Sequence, residues 1–409
     1  MSPNVPGEES ALVLSRRRSL AGLLVAGAGA FLAGCTAVSS YFPQSQPGPG
    51  AMPPPQPAPG ATLGAGEVKA GLILPLTAQG NAAVAGQAMR NAAEMALDEF
   101  KSPNLQLLVK DDGGNPEAAR QGAEQAMAEG AQIILGPLFA QAVSAVGQVT
   151  RARNIPVIAF STDTNVASRG IYLLSFLPET DVERIVQYAA STGKRSYAAL
   201  IPDNPYGTVV EAAFRQDVAR RGGQVVALER YAHDKAAMAG PAKNIAQAAT
   251  HADALFIPDS GDVVPDLAQM LVANGLNTKK VQLLGTGLWD DPRILSSTAL
   301  DGGVYAAPDA AGYRGFASRY TARYKQQPVR TATLAYDAVA LVAALVKTQG
   351  AQRFSPETLT NPSGFSGIDG LFRFRADGTN DRGLAVLRIT TTGAQVVSPP
   401  PKSFGASGI

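Results

Sequence analysis

The sequence predicts an α/β protein of two lobes, each a mainly parallel sheet with helices on both faces. Two observations carry this. Between Val68 and Gly136, three apolar runs of strand length each end in a polar turn marked by Gly or Pro, and a helical pattern follows each. Serial βα units of this kind build parallel sheets. The plan then restarts at Ser196–Ile201, which ends in Pro202-Asp203-Asn204-Pro205-Tyr206-Gly207 before another helical stretch. With 409 residues, 45% of them apolar and 17% charged, the chain is long enough for two cores.

The N-terminal segment is read as an address. Ser15-Arg16-Arg17-Arg18 is a basic start, and Leu20–Leu32 is an apolar run too short to span a bilayer comfortably. Leu32-Ala33-Gly34-Cys35 resembles the bacterial lipobox, which implies cleavage after residue 34 and acylation of Cys35, so that the membrane is touched only through the lipid. Thr36 stands where an Asp would signal retention at the inner membrane, so the resemblance implies an outer-membrane lipoprotein facing the periplasm. The Ser15–Leu20 stretch fits either a twin-arginine signal without its Phe or an ordinary basic region. Residues 35–66 are rich in Pro and Gly and read as an acylated cysteine followed by a tether.

In the first lobe, Val68–Leu74 is a buried strand. Asn81–Phe100 is a helix with Val84, Ala88, Ala92, Met95, Ala96 and Phe100 on its inner face. Leu105–Val109 is the next strand. Asn115-Pro116-Glu117 starts a helix in which Asn115 caps, Pro116 takes the first position and Glu117 complements the dipole. Ile133–Leu135, a helix from Ala140 to Arg153, and strand Pro156–Phe160 complete the lobe. Ligands of such sheets sit where the strands end. The loops carrying Thr77 and Gln79, Leu138 and Phe139, and Ser161, Thr162 and Asp163 are therefore candidates for binding. The hydroxyls of the last loop could equally cap and turn the backbone.

In the second lobe, helix Asp181–Ser191 precedes strand Ser196–Ile201. Further strands are read at Gln224–Arg230, Ala254–Ile257 and Val281–Leu284. Helices at Gly315–Gln326 and Leu334–Thr348 return to the first lobe. Asp369–Phe374 and Ala385–Ile389 are read as last strands that pack back on the second.

Five phrases in this order resemble the leucine/isoleucine/valine-type periplasmic binding proteins. They are Gly71–Thr77, Asp111–Ala119, Ile133–Leu138, Ile155–Ser161 and Pro202–Gly207. The resemblance implies a type I two-lobed fold with three hinge crossings and cleft binding without catalysis. Its crossings would fall at Ser175–Glu179, at Tyr305–Pro308 and ahead of the last strands. The implied boundaries are 67–176 and 306–364 for the first lobe, 177–305 and 365–395 for the second, and 396–409 for a tail. It implies ligand contact by Tyr206. In amino-acid binders a serine holding the carboxylate stands where this chain has Ala140. An aromatic often stands at Ser260 and an ammonium-binding acid near Gly287, for which Asp290 and Asp291 are the candidate substitutes. A charge-assisted hydrogen bond is worth roughly 1.5–3 kcal/mol, so the leucine-type site is incomplete here.

The lipobox, the tether, the altered clamp and the Phe160–Asp163 loop resemble more closely the penicillin-binding-protein activators, although the best-known of these carry a helical-repeat domain ahead of this one. That implies a periplasmic protein partner, a cell-wall synthase. The alternative is the solute receptor of an ABC importer, with a permease partner and a small polar ligand. Chemistry is disfavoured: no G-x-S-x-G elbow, P-loop or zinc spacing occurs. His233-Asp234 reads as a solvated surface pair and His251 as a helix-end partner, while Asp111-Asp112 and Asp290-Asp291 read as turn and cap residues. With one Cys and two His, no disulfide framework is possible and neither a metal nor another cofactor is expected. Residues 1–34 carry three Arg and two Glu, so the rest has a net charge of +1, and nothing points to nucleic acid.

Overall fold

The structure, a computed structural model, describes residues 61–100 and 104–404. The signal segment, Cys35 and most of the tether lie outside the described residues. Among those described, no helix is long and apolar enough to cross a membrane.

The first lobe is a six-stranded sheet in the order β1-β3-β2-β4-β5-β6: Thr62–Leu63, Leu105–Asp111, Val68–Leu74, Ala131–Leu135, Val157–Ala159 and Ile171–Leu173. All of its pairings are parallel except β1 with β3. Both faces are covered, which is why the strands read as nearly unbroken apolar runs. Leu72, Leu74, Leu107 and Leu135 point into one core, and Ile73, Leu108 and Ile134 into another. Helices α1 (Asn81–Glu99), α2 (Pro116–Ala128) and α3 (Ala140–Arg151) follow their strands as expected.

The structure differs from the sequence reading at three points. The tether was expected to extend to Gly66, but Thr62 and Leu63 pair antiparallel with Leu108 and Leu107, and Leu63 packs on the first-lobe core. Val84 and Phe100 of α1 are exposed; its inner face is Ala88, Met89, Ala92, Ala93, Met95, Ala96 and Leu97. The apolar pattern is broader than one stripe because α1 is buried on two sides, against the sheet and against a later helix, Ala332–Thr348. Strand β6, only three residues long, was not anticipated.

The chain leaves β6 for α4 (Pro178–Ser191) through residues 174–177. The second sheet runs β16-β15-β11-β10-β9-β7-β8. Its strands are Gly393–Ser398, Ala385–Thr390, Val304–Ala307, Gln282–Gly285, Ala254–Phe256, Ser196–Pro202 and Gln224–Tyr231. Its helices are α5 (Pro205–Arg220), α6 (Lys235–Ala248), α7 (Val264–Ala273) and the short α8 (Pro292–Leu295). The second crossing, after β11, leads to α9 (Ala310–Tyr324) and α10 (Ala332–Thr348), which pack on the first lobe; a short α11 (Pro356–Leu359) follows.

Asp369–Phe374 does not join the second-lobe sheet. Strand β13 (Gly370–Phe374) lies between β12 (Phe365–Gly367) and β14 (Asn380–Arg382) in a separate antiparallel sheet. Phe372 and Phe374 sit in the first-lobe core, and the Phe374 ring packs at a tilt against Tyr172, with centroids 5.4 Å apart. Alternating Phe residues give the hairpin one apolar face, and the first lobe covers it. The return to the second lobe starts only at Ala385. Residues 396–398, expected in the tail, belong to the edge strand β16.

The hinge is tied by polar groups. Asn380 Nδ2 donates to the carbonyls of Leu173 (2.7 Å) and Ser175 (2.9 Å), and Arg382 Nε donates to Ser175 O (2.8 Å). The guanidinium groups of Arg382 (4.5 Å) and Arg330 (5.6 Å) both lie over the Phe176 ring. Arg330 pairs with the buried Asp369 (2.5 Å), which also accepts from Thr333 Oγ1 (2.6 Å).

Candidate ligand cleft

The loops after β7 and β10 reach the first-lobe core, through Tyr206 and Leu288, and so bring strand ends of the two lobes together. Glycine allows two of these turns. Gly136 has φ +91°, and a Cβ there would sit 2.1 Å from Ile73 O. On Gly207 a Cβ would sit 1.8 Å from Pro202 O, so the Pro-Tyr-Gly turn lets α5 start directly against β7 and carries Tyr206 into the cleft.

Tyr206 packs against the cores of both lobes. Its hydroxyl lies 2.9 Å from Thr286 Oγ1. Burial, with the carboxylates of Asp181, Asp259 and Glu179 nearby, pushes its pKa well above the usual tyrosine value. Next along the same loop, Gly287 N–H donates to the buried Asp181 (2.9 Å). Leu288, one residue on, is buried within the first-lobe core although its loop belongs to the second. Trp289 is fully buried and donates from Nε1 to Ile257 O (2.9 Å).

The first-lobe rim is internally bonded as well. Thr77 Oγ1 donates to Asp111 Oδ2 (2.5 Å), and Asp111 Oδ1 accepts from the N–H groups of Leu76, Thr77 and Gly113. Asp112 is buried, accepts from Gly114 N–H (2.7 Å), and burial pushes its pKa up to about 6. Gln79 is exposed on the Thr77 turn. Leu138 is a core residue rather than a rim contact, because the turn at Gly136 directs it inward. Phe139 is half-buried between the two first-lobe cores and precedes Ala140, the first residue of α3. Ser161 is buried and its Oγ accepts from Asp163 N–H (3.1 Å). Asp163 caps the turn at Thr164–Val166 and accepts from Asn165. These two serve the turn, one of the alternatives open from sequence. Thr162 is half-buried beside them. Thr164 Oγ1 donates to Glu179 (3.0 Å), whose pKa burial raises.

In the second lobe, Ser260 N–H donates to Asp259 Oδ1 (2.7 Å). Asp259 is buried and also accepts from Tyr231 Oη (2.5 Å) and contacts His233 Nε2 (2.7 Å). His233 is thus not the freely solvated histidine expected from its polar neighbours: Asp259 draws it in and raises its pKa. Asp290 accepts from Tyr305 Oη (3.2 Å); burial raises its pKa, and nearby Arg330 opposes this. Asp291 caps α8 and pairs with Arg293 (2.7 Å). Neither acid is placed at Gly287, where Asp181 is bonded instead. Asp181, Asp259, Thr286 and Leu288 were missed. Pro178-Glu179-Thr180-Asp181 just past the first crossing, and Asp259 at a strand end, were the signals that could have found the acids. Among the described residues no group of His, Cys, Asp or Glu could hold a metal ion.

The pattern of the periplasmic binding proteins matches residues 67–394. The chain belongs to the periplasmic binding protein family. An ABC transporter substrate-binding protein from Sphaerobacter thermophilus has the same fold, at 22% identity and TM-score 0.65, over 82% of this chain and 98% of that one. An uncharacterised protein of Rickettsia prowazekii is 21% identical over 44% of this chain and 47% of its own length. The penicillin-binding protein activator LpoA of Serratia proteamaculans is 28% identical over 126 residues, 31% of this chain and 18% of its own. This periplasmic binding protein thus spans about half or less of the curated relatives it matches. Its fold class is as the sequence led one to expect: α/β, two-lobed, with helices on both faces of its sheets.

Proposed function

We propose that this protein is a non-catalytic envelope lipoprotein, acylated at Cys35 and facing the periplasm from the outer membrane, whose binding-protein body regulates a penicillin-binding protein. One observation carries the reading: the cleft's polar groups are bonded to one another, Tyr206 to Thr286, Gly287 to Asp181 and Thr77 to Asp111. A solute receptor must give such groups to its ligand, and each internal bond given up costs about 1 kcal/mol. The local similarity to LpoA supports the same direction.

The second reading, the solute-binding component of an ABC importer for an amino acid or similar polar solute, is favoured by the fold likeness to a substrate-binding protein. In-cell crosslinking separates the two. The regulator reading expects capture of a penicillin-binding protein by the native protein, and loss of membrane association in Cys35→Ser. Failure to capture one overturns it. The importer reading expects a thermal shift with an amino acid, since a ligand at 100 times its Kd adds about 2.7 kcal/mol. No shift across a panel of amino acids and cell-wall fragments removes that reading.

A further inference from the structure

The chain does not stop at the second-lobe sheet. Arg184 on α4 fastens the end of β16: its Nε donates to Leu384 O (2.8 Å), and its Nη2 donates to Ser398 Oγ (2.6 Å) and Pro399 O (3.4 Å). The chain then runs through Pro399-Pro400-Pro401, past the third crossing. A Cβ on Gly383 would touch the Pro401 ring at 3.3 Å.

Phe404 lands on the other lobe. Its ring lies 4.8 Å from the Arg373 guanidinium and closes over Gly364, where a Cβ would sit 2.9 Å from the ring carbons. Arg373 is in turn held by Asp381 (2.7 Å) and Pro362 O (3.3 Å). Gly364 precedes β12 and Arg373 lies in β13 of the small sheet, whose Phe372 and Phe374 are in the first-lobe core. Residues 401–403 are exposed, but Phe404 is half-buried, so the segment is anchored at its two ends rather than along its length.

We infer that residues 399–404 are a strap across the hinge, a fourth link that holds the two lobes at a set separation. Three successive prolines suit this role. Their fixed φ removes slack, and an extended proline segment advances about 3.1 Å per residue as a semi-rigid spacer. A flexible tail of equal length would tolerate a wider range of separations. The inference concerns lobe movement and holds whichever partner or ligand the cleft serves.

The test is an inter-lobe distance measurement in the full chain. Spin labels go on Val84→Cys and Val209→Cys in a Cys35→Ser background; both valines are exposed, one on each lobe. Two variants are compared with this parent: truncation after Ser398, which keeps β16, and Phe404→Ala, which alters one half-buried side chain. The strap expects the inter-label distribution to broaden and move to longer distance in both. An unchanged distribution in both overturns it. So does a change seen on truncation that Phe404→Ala does not reproduce, since the far anchor would then carry no restraint.

Discussion

Asp337, on α10 in the first lobe, accepts from Ile368 N–H (2.8 Å) and faces Asp369 from the β12–β13 turn, Arg382 from β14 and Arg330 from the segment before α10. Burial first, and the Asp369 charge second, push its pKa from 3.8 up to about 7. The folded state therefore binds this proton more tightly than the unfolded chain, so stability falls as pH rises from about 4 to about 7. Asp112 acts in the same direction between 3.8 and about 6. His233 does too, for a different reason: its raised pKa reflects the Asp259 partner, so its contribution is complete below its unfolded value of about 6.5 and is lost above it. The urea midpoint should fall between pH 5 and pH 8. Asp337→Asn should flatten the part below pH 7, and His233→Gln the part above. A midpoint that rises with pH over this range contradicts the assignment.

Among the elements, α2 is the one whose start was most legible. Asn115 Oδ1 accepts from the N–H groups of Glu117 (2.8 Å) and Ala118 (3.2 Å), with Pro116 at the first helical position. Asn115→Ala should cost about 1 kcal/mol, read as a lower denaturation midpoint with unchanged m. This start could be read because cap, proline and acid lie within three residues of each other. Strand β6 could not, because Ile171–Leu173 is too short to show a period and merges with the apolar crossing behind it. The sequence of β13 reads as a strand but does not say which sheet it joins: its Phe spacing fixes which face is apolar, not which lobe covers it. The cleft was legible only in outline. Tyr206 was found because its turn is local. Thr286 is tied to Tyr206, Asp181 to Gly287, and Asp259 to Tyr231 and His233, by contacts that bring together distant parts of the chain, and no spacing encodes those.

For the molecule as a whole, the lobes are joined by more than their crossings. Leu288 of the second lobe is a core residue of the first, and Tyr206 touches both cores. Leu288→Ala should therefore cost about 2–5 kcal/mol and loosen one lobe from the other. The expected outcome is a lower midpoint together with an earlier change in the fluorescence of Trp289, the one tryptophan, than in far-UV CD. A single transition unshifted from the parent would show that the interlock carries no weight. The two-lobed plan itself was readable because repeated βα punctuation is local information. The closeness of the lobes is not, since it rests on long-range contacts such as those of Leu288 and Tyr206.

Strand β1 gives the molecule a mechanical property. Ala61 O accepts from Val109 N–H, and Thr62 and Leu63 pair with Leu108 and Leu107. β3 is in turn paired along seven residues with β2. A pull on the chain ahead of Ala61 thus enters the sheet at the edge opposite β6, where the first crossing departs. The load passes into β3 and β2 without running through the hinge. Tension applied there would strain one edge of one lobe before it reached the connections between the lobes.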